Sequence, residues 1–331
     1  MRVTLTRRQV NFGFAAAATG AVFRPRCPRA AEITLVHSHN LPVDSPLHKR
    51  ALEMWAAVKA DTGGMVNVRI DRGDAGLEKL VNGELAFITL AGNNLAALVP
   101  AADVQATPYA FRNPAQVYAA LDGSLGDYLR DEIRAKGIYA VPRGCFENGI
   151  HEITSNRRPI RTAADFQGLK IRIPGTPAYQ GFFKSLGADV HTMNLTAMYD
   201  GLKSGVIEAQ DDPWDVVELF KLYEFQKYAS ATAHSWSGYN LLASLKVWQG
   251  LPPDAQRVIE ANTRKFVALQ RADNDALNEE LRNGLTKRGM VFNEVDKASF
   301  RPALAAFYPR WKSHIGSRAW DLLESHVGKL G

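Results

Sequence analysis

The chain has 331 residues, 46 % hydrophobic and 22 % charged, which is the composition of an ordinary soluble globular protein. Its formal charge of +6 would suggest nucleic acid or an anionic membrane as a partner. Six of the 40 basic residues lie in the first thirty positions, however, and setting them aside leaves 34 basic against 34 acidic residues, which removes the case for both partners.

Those thirty residues, MRVTLTRRQVNFGFAAAATGAVFRPRCPRA, carry six arginines, no acid and an uncharged, Ala-rich run between Arg8 and Arg24. This is the pattern of a secretory signal, and Thr6-Arg7-Arg8 before the run fits twin-arginine export. The run is shorter than the roughly 20 residues a membrane span needs, and no later stretch is long enough. Cleavage near Ala30 or Ala31 would leave a soluble chain of about 300 of the 331 residues. Cys27 would depart with the signal, so Cys145 has no intramolecular partner and reads as a small buried hydrophobe.

Ile33 to Val36 reads as a short strand, followed by the polar turn HSHNLPVDSP. Helical spacing from His48 to Lys59 stops at Gly63-Gly64, Met65 to Ile70 alternates as a second strand, and a short helix over Ala75 to Asn82 leads to a strand over Leu85 to Ile88. The β-α rhythm restarts after Pro142. Arg161 to Phe166 reads as a helix start, Leu169 to Ile173 as a strand, Pro177 to Leu186 as a helix, Asp200 to Leu202 as part of another ending near Gly205, and Val206-Ile207 as the start of a strand. Two consecutive α/β sets predict two lobes built on a mainly parallel sheet. Pro252-Pro253-Asp254 opens a long helical region with apolar positions Val258, Ile259, Phe266, Leu269, Leu277, Leu281 and Leu285, and a break is expected near Asp273 to Asp275.

Standard catalytic and phosphate-binding signatures are missing: no G-x-G-x-x-G after a strand, no phosphate loop, no H-E-x-x-H and no G-x-S-x-G. His37 and His39 share a face and His48 follows, but their spacing lacks the regularity and fourth ligand of a zinc site, so neither a metal nor another cofactor is expected. Asp211 and Asp212 are adjacent on a strand and point to opposite faces, which is poor geometry for a paired-carboxylate site. Arg172 is more informative, because it interrupts the otherwise buried strand LKIRIP. A guanidinium is costly to bury without an anion, which either an internal carboxylate or a ligand must supply. Pro174 puts it near a strand's carboxyl end, where open α/β sheets bind ligands.

The run FENGIHEITSNRRPIRTAADFQGLKIRIPGTPAYQGFFKSLGADVHTMNLTAMYDGLKSGVIEAQDDPWDVVELFKLYEFQKY, from Phe146 to Tyr228, resembles the central region of a solute-binding subunit of a tripartite ATP-independent periplasmic (TRAP) transporter, the family related to C4-dicarboxylate-binding periplasmic proteins. SNRRPI, GLKIRIPG and the Q-x-x-P of QDDP are its most specific parts, and HNLPVDSPLHKRALEMW, TPYAFRN and LPPDAQRVIEAN extend the similarity over nearly the whole mature chain. The resemblance implies a two-lobed α/β periplasmic binding protein with crossing strands, a long bridging helix and a ligand cleft, serving ion-gradient-driven TRAP permease subunits and catalysing no reaction. It implies one lobe over 32–148 with 238–277 and another over 149–237 with 278–331. Arg172 coincides with the family's carboxylate-clamping arginine.

Departures from the family's pattern bear on the solute. His151 stands where a second arginine is frequent, Asp212 where asparagine is common and Leu195 where an aromatic is frequent, and the loop DRGDAG, containing Asp74, is shortened. Each of the first two lowers the positive charge of the cleft. Asp212 would either accept hydrogen bonds from a ligand hydroxyl or ammonium, or pair with Arg172. The expected solute is therefore a monocarboxylate bearing a hydroxyl, amino or aromatic group, with a C4-dicarboxylate as the alternative. His39, Asn40, Tyr109, Glu147, Asn148, Trp214 and Trp236 complete the candidate ligand contacts, the three aromatics as walls. A ligand-presenting partner of a sensor or chemoreceptor would have the same sequence features. An exported enzyme acting on a small carboxylate would need an acid/base pair that is not visible.

Overall fold

A computed structural model describes residues 32–73 and 76–330. The expected export segment and Asp74 lie outside the described residues. Strand β1 (Ile33–His39) leads into the helix Pro46–Asp61, whose N-cap Ser45 accepts a hydrogen bond from His48 N while Pro46 occupies the first turn. The helix buries Leu47, Met54, Trp55 and Val58 and returns to β2 (Val66–Arg72), parallel to β1. The short helix Leu77–Asn82 ends on the left-handed Gly83, and β3 (Phe87–Ala91) pairs with the other edge of β1.

A second parallel set lies beyond β4 (Ile138–Ser155): β5 (Lys170–Ile173) is flanked by β6 (Asp189–Thr192) and β7 (Ala209–Asp212). Strand β7 begins after the expected Val206-Ile207, because Gly205 closes the preceding helix in the left-handed region and Val206 is exposed. Strand β8 (Tyr228–Ser244) then crosses the molecule, and β9 (Val291–Glu294) pairs with its start. The order is β2-β1-β3-β8-β4-β7-β5-β6. The sheet is thus mixed rather than mainly parallel. Each α/β set is parallel within itself, and the 18-residue β4 and 17-residue β8, antiparallel to each other, join the two.

A strand about three times the usual length of 5–6 residues keeps its pairing only by bending. The β4/β8 ladder does so at register shifts after Ala140, Glu147 and His151. At Gly149, φ is +140°, and an added Cβ would lie 2.9 Å from the Pro213 ring, so this bend has no room for a side chain. Where the ladder slips at Glu147, Gln270 replaces it: Glu147 N donates to Gln270 Oε1 at 2.8 Å and Gln270 Nε2 donates to Glu147 O at 2.9 Å.

Gln270 belongs to the helix Pro253–Lys287, which runs 35 residues without the expected break. The polar residues that suggest an interruption have partners instead. Asp273 accepts from Arg50 Nε at 2.7 Å and Asn274 accepts from Gln270 at 3.1 Å. Leu269, read as core, is exposed, whereas Ile259, Phe266, Leu281 and Leu285 are buried. Around the parallel set of β5, Phe166, Tyr179, Phe182, Phe183 and Phe300 form an aromatic core, each fully buried side chain contributing about 1.5–3 kcal/mol. The helices Arg301–Ile315 and Ser317–Val327 close over it. Tyr308 OH donates to Pro108 O at 2.8 Å, and Gln116 Nε2 donates to His326 O at 3.1 Å. Cys145 is buried without a disulfide partner among the described residues.

Candidate functional site

Strand β5 has a fully buried isoleucine on either side of Arg172, and the arginine itself is only 2 % exposed. Its charge is held by backbone and carboxylate. Nε donates to Met193 O at 2.9 Å, while Nη1 donates to Asp212 Oδ2 at 2.8 Å and, at 3.5 Å, to Asp211 O. Nη2 has no hydrogen-bond partner among the described residues. The buried arginine therefore has an internal counterion and a fixed orientation with one donor edge left over. Burial pushes the Asp212 carboxyl up to about 6, against the pull of Arg172 and His151.

Arg172 and Asp212 border a cavity of about 300 Å³, at the lower end of the range for small-molecule sites. Its buried side carries His151, Asn148 and Ser237; its more exposed wall carries Thr192, Asn194 and Leu195. Asn40 and Tyr239 also face it. The helix Leu195–Ser204 starts at this wall with Asn194 as its cap, so the positive end of a helix dipole adjoins the cavity. Polar groups dominate the lining, while Leu90, Ala91, Met193 and Leu195 supply apolar surface.

His151 is tied into a buried chain. Asn148 Nδ2 donates to Ser237 Oγ at 2.7 Å, Ser237 Oγ lies 2.7 Å from His151 Nε2, and His151 Nδ1 lies 2.8 Å from Asp211 Oδ1. Burial alone would lower the His151 pKa, but the charge and hydrogen bond of Asp211 outweigh it and raise it above the usual histidine value. Asp211 is turned away from Asp212, as adjacent strand residues are. Although burial works against it, His151 and His234 hold its carboxyl below the usual carboxylate range.

Of the residues singled out in the sequence, the cavity brings together Arg172, Asp212, His151, Asn148, Asn40 and Leu195. The others among the described residues lie elsewhere. Trp236 Nε1 donates to Glu147 Oε1 at 2.8 Å, and Tyr118 OH donates to the other oxygen of Glu147. Glu147 and Trp236 thus satisfy each other behind the cavity, where burial pushes the Glu147 carboxyl up to about 7. Tyr109 packs edge-on to Phe182 and tilted against Phe300, and Trp214 packs edge-on to Phe292. None of the three expected aromatic walls lines the cavity, because in each case apolar packing, with a buried carboxylate for Trp236, takes the ring. His39 accepts from Leu41 N at Nδ1 and faces His48 Nδ1 with Nε2 at 3.0 Å, while His37 accepts from Trp55 and faces Thr89. These are ordinary hydrogen-bonding roles.

The sequence reading missed Ser237, Tyr239, Asn94, Thr192 and Asn194 as lining residues. Asn194 carries a weak signal as a helix cap in MNLT; the others have none, because they reach the cavity only through the pairing of β8 with β4, the turn after β3 and the end of β6.

Residues 37–314 match the family described as bacterial extracellular solute-binding protein, family 7. The chain belongs to this family. Among curated proteins, this family-7 member is 32 % identical over 213 residues to the 2,3-diketo-L-gulonate-binding periplasmic protein of Escherichia coli K12, a match covering 64 % of either chain. It is 25 % identical over 325 residues to the C4-dicarboxylate-binding periplasmic protein of Rhodobacter capsulatus, covering 95 % of this chain and 96 % of the other. The chain spans 64 % and 59 % of the length of two of the curated relatives it matches. Among solved structures, a TRAP periplasmic solute-binding protein of Polaromonas sp. JS666 bound to D-erythronate superposes with a TM-score of 0.83 at 25 % identity, covering 89 % of this chain and 99 % of that one. The expected kinship with TRAP solute-binding subunits and the two-lobed α/β fold are thereby met. No helix among the described residues is long and apolar enough to cross a membrane.

Proposed function

We propose that the protein captures a hydroxylated monocarboxylate in the periplasm and delivers it to a TRAP permease. The observation that carries this reading is Arg172: it is buried, oriented by Met193 O and Asp212, and has Nη2 without a partner among the described residues beside a polar cavity. A carboxylate placed on that edge would gain a charge-assisted hydrogen bond. With Asp212 neutralising part of the guanidinium, a second carboxylate would have no second arginine to meet it. Asn148, Asn194, Thr192, Ser237 and Tyr239 match hydroxyls far better than a hydrocarbon or aromatic body. The relatives named for 2,3-diketo-L-gulonate and D-erythronate support a polyhydroxy acid. The Rhodobacter relative favours a C4-dicarboxylate as the second reading.

The lobes of this reading comprise 32–148 with 238–277 and 149–237 with 278–331. Their hinge runs through β4 and β8 at the register shifts following Glu147 and His151. Ligand contacts from both sides of the cavity would favour closure. Function is binding rather than turnover, and a sensor or chemoreceptor would be an alternative recipient of the closed form. Calorimetric titration of the mature chain with D-erythronate, galactonate and succinate tests the class. Tighter binding of a hydroxylated monocarboxylate than of succinate is expected. The reverse order would overturn it, and ligand released from natively purified protein, weighed by mass spectrometry, would identify the solute.

A further inference from the structure

On the opposite face of β7 from Asp212 three side chains converge, of which His151 also lines the cavity while Asp211 and His234 do not. His151 Nδ1 and His234 Nε2 approach the same oxygen, Asp211 Oδ1, at 2.8 and 3.0 Å. All three residues are buried, and their potential ligand atoms lie within 4.8 Å of one another. Hydrogen bonding alone leaves this cluster incompletely satisfied. Among the described residues Asp211 Oδ2 has no hydrogen-bond partner, and His234 Nε2, though close to Oδ1, makes no aligned N–H···O bond. A buried polar atom without a partner is costly, and here two lie side by side.

We propose that His151, Asp211 and His234 bind a divalent transition-metal ion, with zinc(II) as the class the donors suit. Two imidazole nitrogens and one carboxylate are a recognised zinc donor set, and bonds of about 2.0–2.1 Å in a tetrahedral arrangement place ligand atoms about 3.3 Å apart. The observed separations of 2.8 and 3.0 Å need to open by only a few tenths of an ångström. The remote ring nitrogens are already placed as such a site requires. His151 Nε2 faces Ser237 Oγ at 2.7 Å, and His234 Nδ1 faces Thr232 Oγ1 at 2.9 Å. An imidazole that gives one nitrogen to a metal carries its proton on the other and donates it to an outer partner, and both histidines have one.

Metal binding would act on the cavity through that proton. With the metal on His151 Nδ1, Nε2–H donates to Ser237 Oγ, which also accepts from Asn148 Nδ2. With both approaches to its oxygen occupied by donors, Ser237 turns its own hydroxyl proton elsewhere, and the cavity it lines is the open direction. The ion would thus add positive charge near the floor and convert Ser237 into a donor, supplying part of what a second arginine would.

The test uses the full mature chain, stripped with chelator, with zinc(II) or cobalt(II) added both to the folded protein and during refolding, and with no organic acid present. One equivalent of metal and the visible absorption of tetrahedral cobalt(II) are expected. His234→Gln and Asp211→Asn should each weaken binding at least about a hundredfold, and Thr232→Val at least about tenfold. His48→Gln, which removes the unrelated His39–His48 contact, should leave uptake unchanged. Circular dichroism establishes that each variant folds. No stoichiometric uptake by either route would overturn the site, as would uptake that survives His234→Gln or disappears with His48→Gln. Because no acid is used, failure here leaves the Arg172 assignment standing, and failure of that assignment leaves this one standing.

Discussion

Asp212→Asn separates two roles for the carboxylate beside Arg172. As an internal counterion, Asp212 binds Nη1 at 2.8 Å and opposes any acid that takes Nη2. Two carboxylates on neighbouring nitrogens of one guanidinium stand about 5 Å apart, and at an effective dielectric near 20 their repulsion is about 3 kcal/mol. Asparagine keeps an oxygen for Arg172 but gives up a charged hydrogen bond, which costs about 1–2 kcal/mol of that gain. The net expectation is about tenfold tighter binding of D-erythronate at neutral pH. Calorimetry across pH tests the same account. Asp212 titrates at about 6, so its charge disappears as pH falls through that value and wild-type affinity should rise. The ligand stays ionised there, since a free carboxylate titrates near 3.5–4. His151, with its raised pKa, contributes in the same direction, while Asp211 remains anionic. Asp212→Asn should therefore remove the part of the rise centred near 6 and leave the His151 part. A folded variant that binds the acid more weakly than wild type at neutral pH would refute the reasoning and make Asp212 an acceptor for a ligand hydroxyl.

Arg172→Ala should reduce acid affinity at least tenfold, from the loss of a charge-assisted bond worth about 1.5–3 kcal/mol, and undiminished calorimetric affinity in the folded variant would remove the clamp. Gly149→Ala should destabilise the chain by about 1–3 kcal/mol in denaturant unfolding, because φ there is +140° and the new Cβ meets Pro213; an unchanged midpoint would mean the β4 bend is not constrained. Stability of the ligand-free protein should fall between about pH 6.5 and 8 in scanning calorimetry, above the range in which the buried, neutral His37, His39 and His234 act in the opposite sense. Burial raises Asp103 and Glu147 to about 7 and Glu152 to about 8, so the folded state retains protons that the unfolded chain releases near 4, and the stability they contribute is lost as pH rises through 7 to 8. A thermal midpoint that rises over this interval would contradict the sign.

The fold was legible where physical constraints are local. Pro253 marks a helix start, Gly83 and Gly205 mark ends, and the parallel strands of each lobe show as apolar runs, whereas Ser45-Pro46, read as part of a turn, caps and opens the first helix. It was illegible where partners are distant. The polar stretch around Asp273 looks like a helix break until Arg50, 223 residues away, is seen to bind it. The same limit governed the site. Arg172 stood out because a buried guanidinium demands an anion wherever it sits. Trp236 misled because its indole N–H partner, Glu147, lies 89 positions away and behind the cavity. Ser237 was invisible because nothing in SWSG indicates that its hydroxyl meets His151 across the β4/β8 ladder.

The pair Asp211-Asp212 connects these observations. Strand alternation sends one carboxylate to Arg172 and the other to the two histidines, so one dipeptide sets the charge on both sides of the cavity floor. An asparagine at position 212 would leave Arg172 without this carboxylate partner; Asp212 occupies Nη1 and leaves Nη2 for the proposed one-clamp acid. Position 151 works from the other side. An arginine there would present a fixed positive charge, whereas His151 is charged only when protonated and sits between Asp211 and Ser237 in a chain that ends at the cavity. The expectation that follows is specific to this combination: exchanging His151 for glutamine should remove the His151 part of the rise in acid affinity on acidification and leave the part that Asp212 contributes near 6, because glutamine can bond Ser237 but carries no charge. Acid affinity with the same pH dependence in H151Q would show that position 151 does not communicate with the ligand.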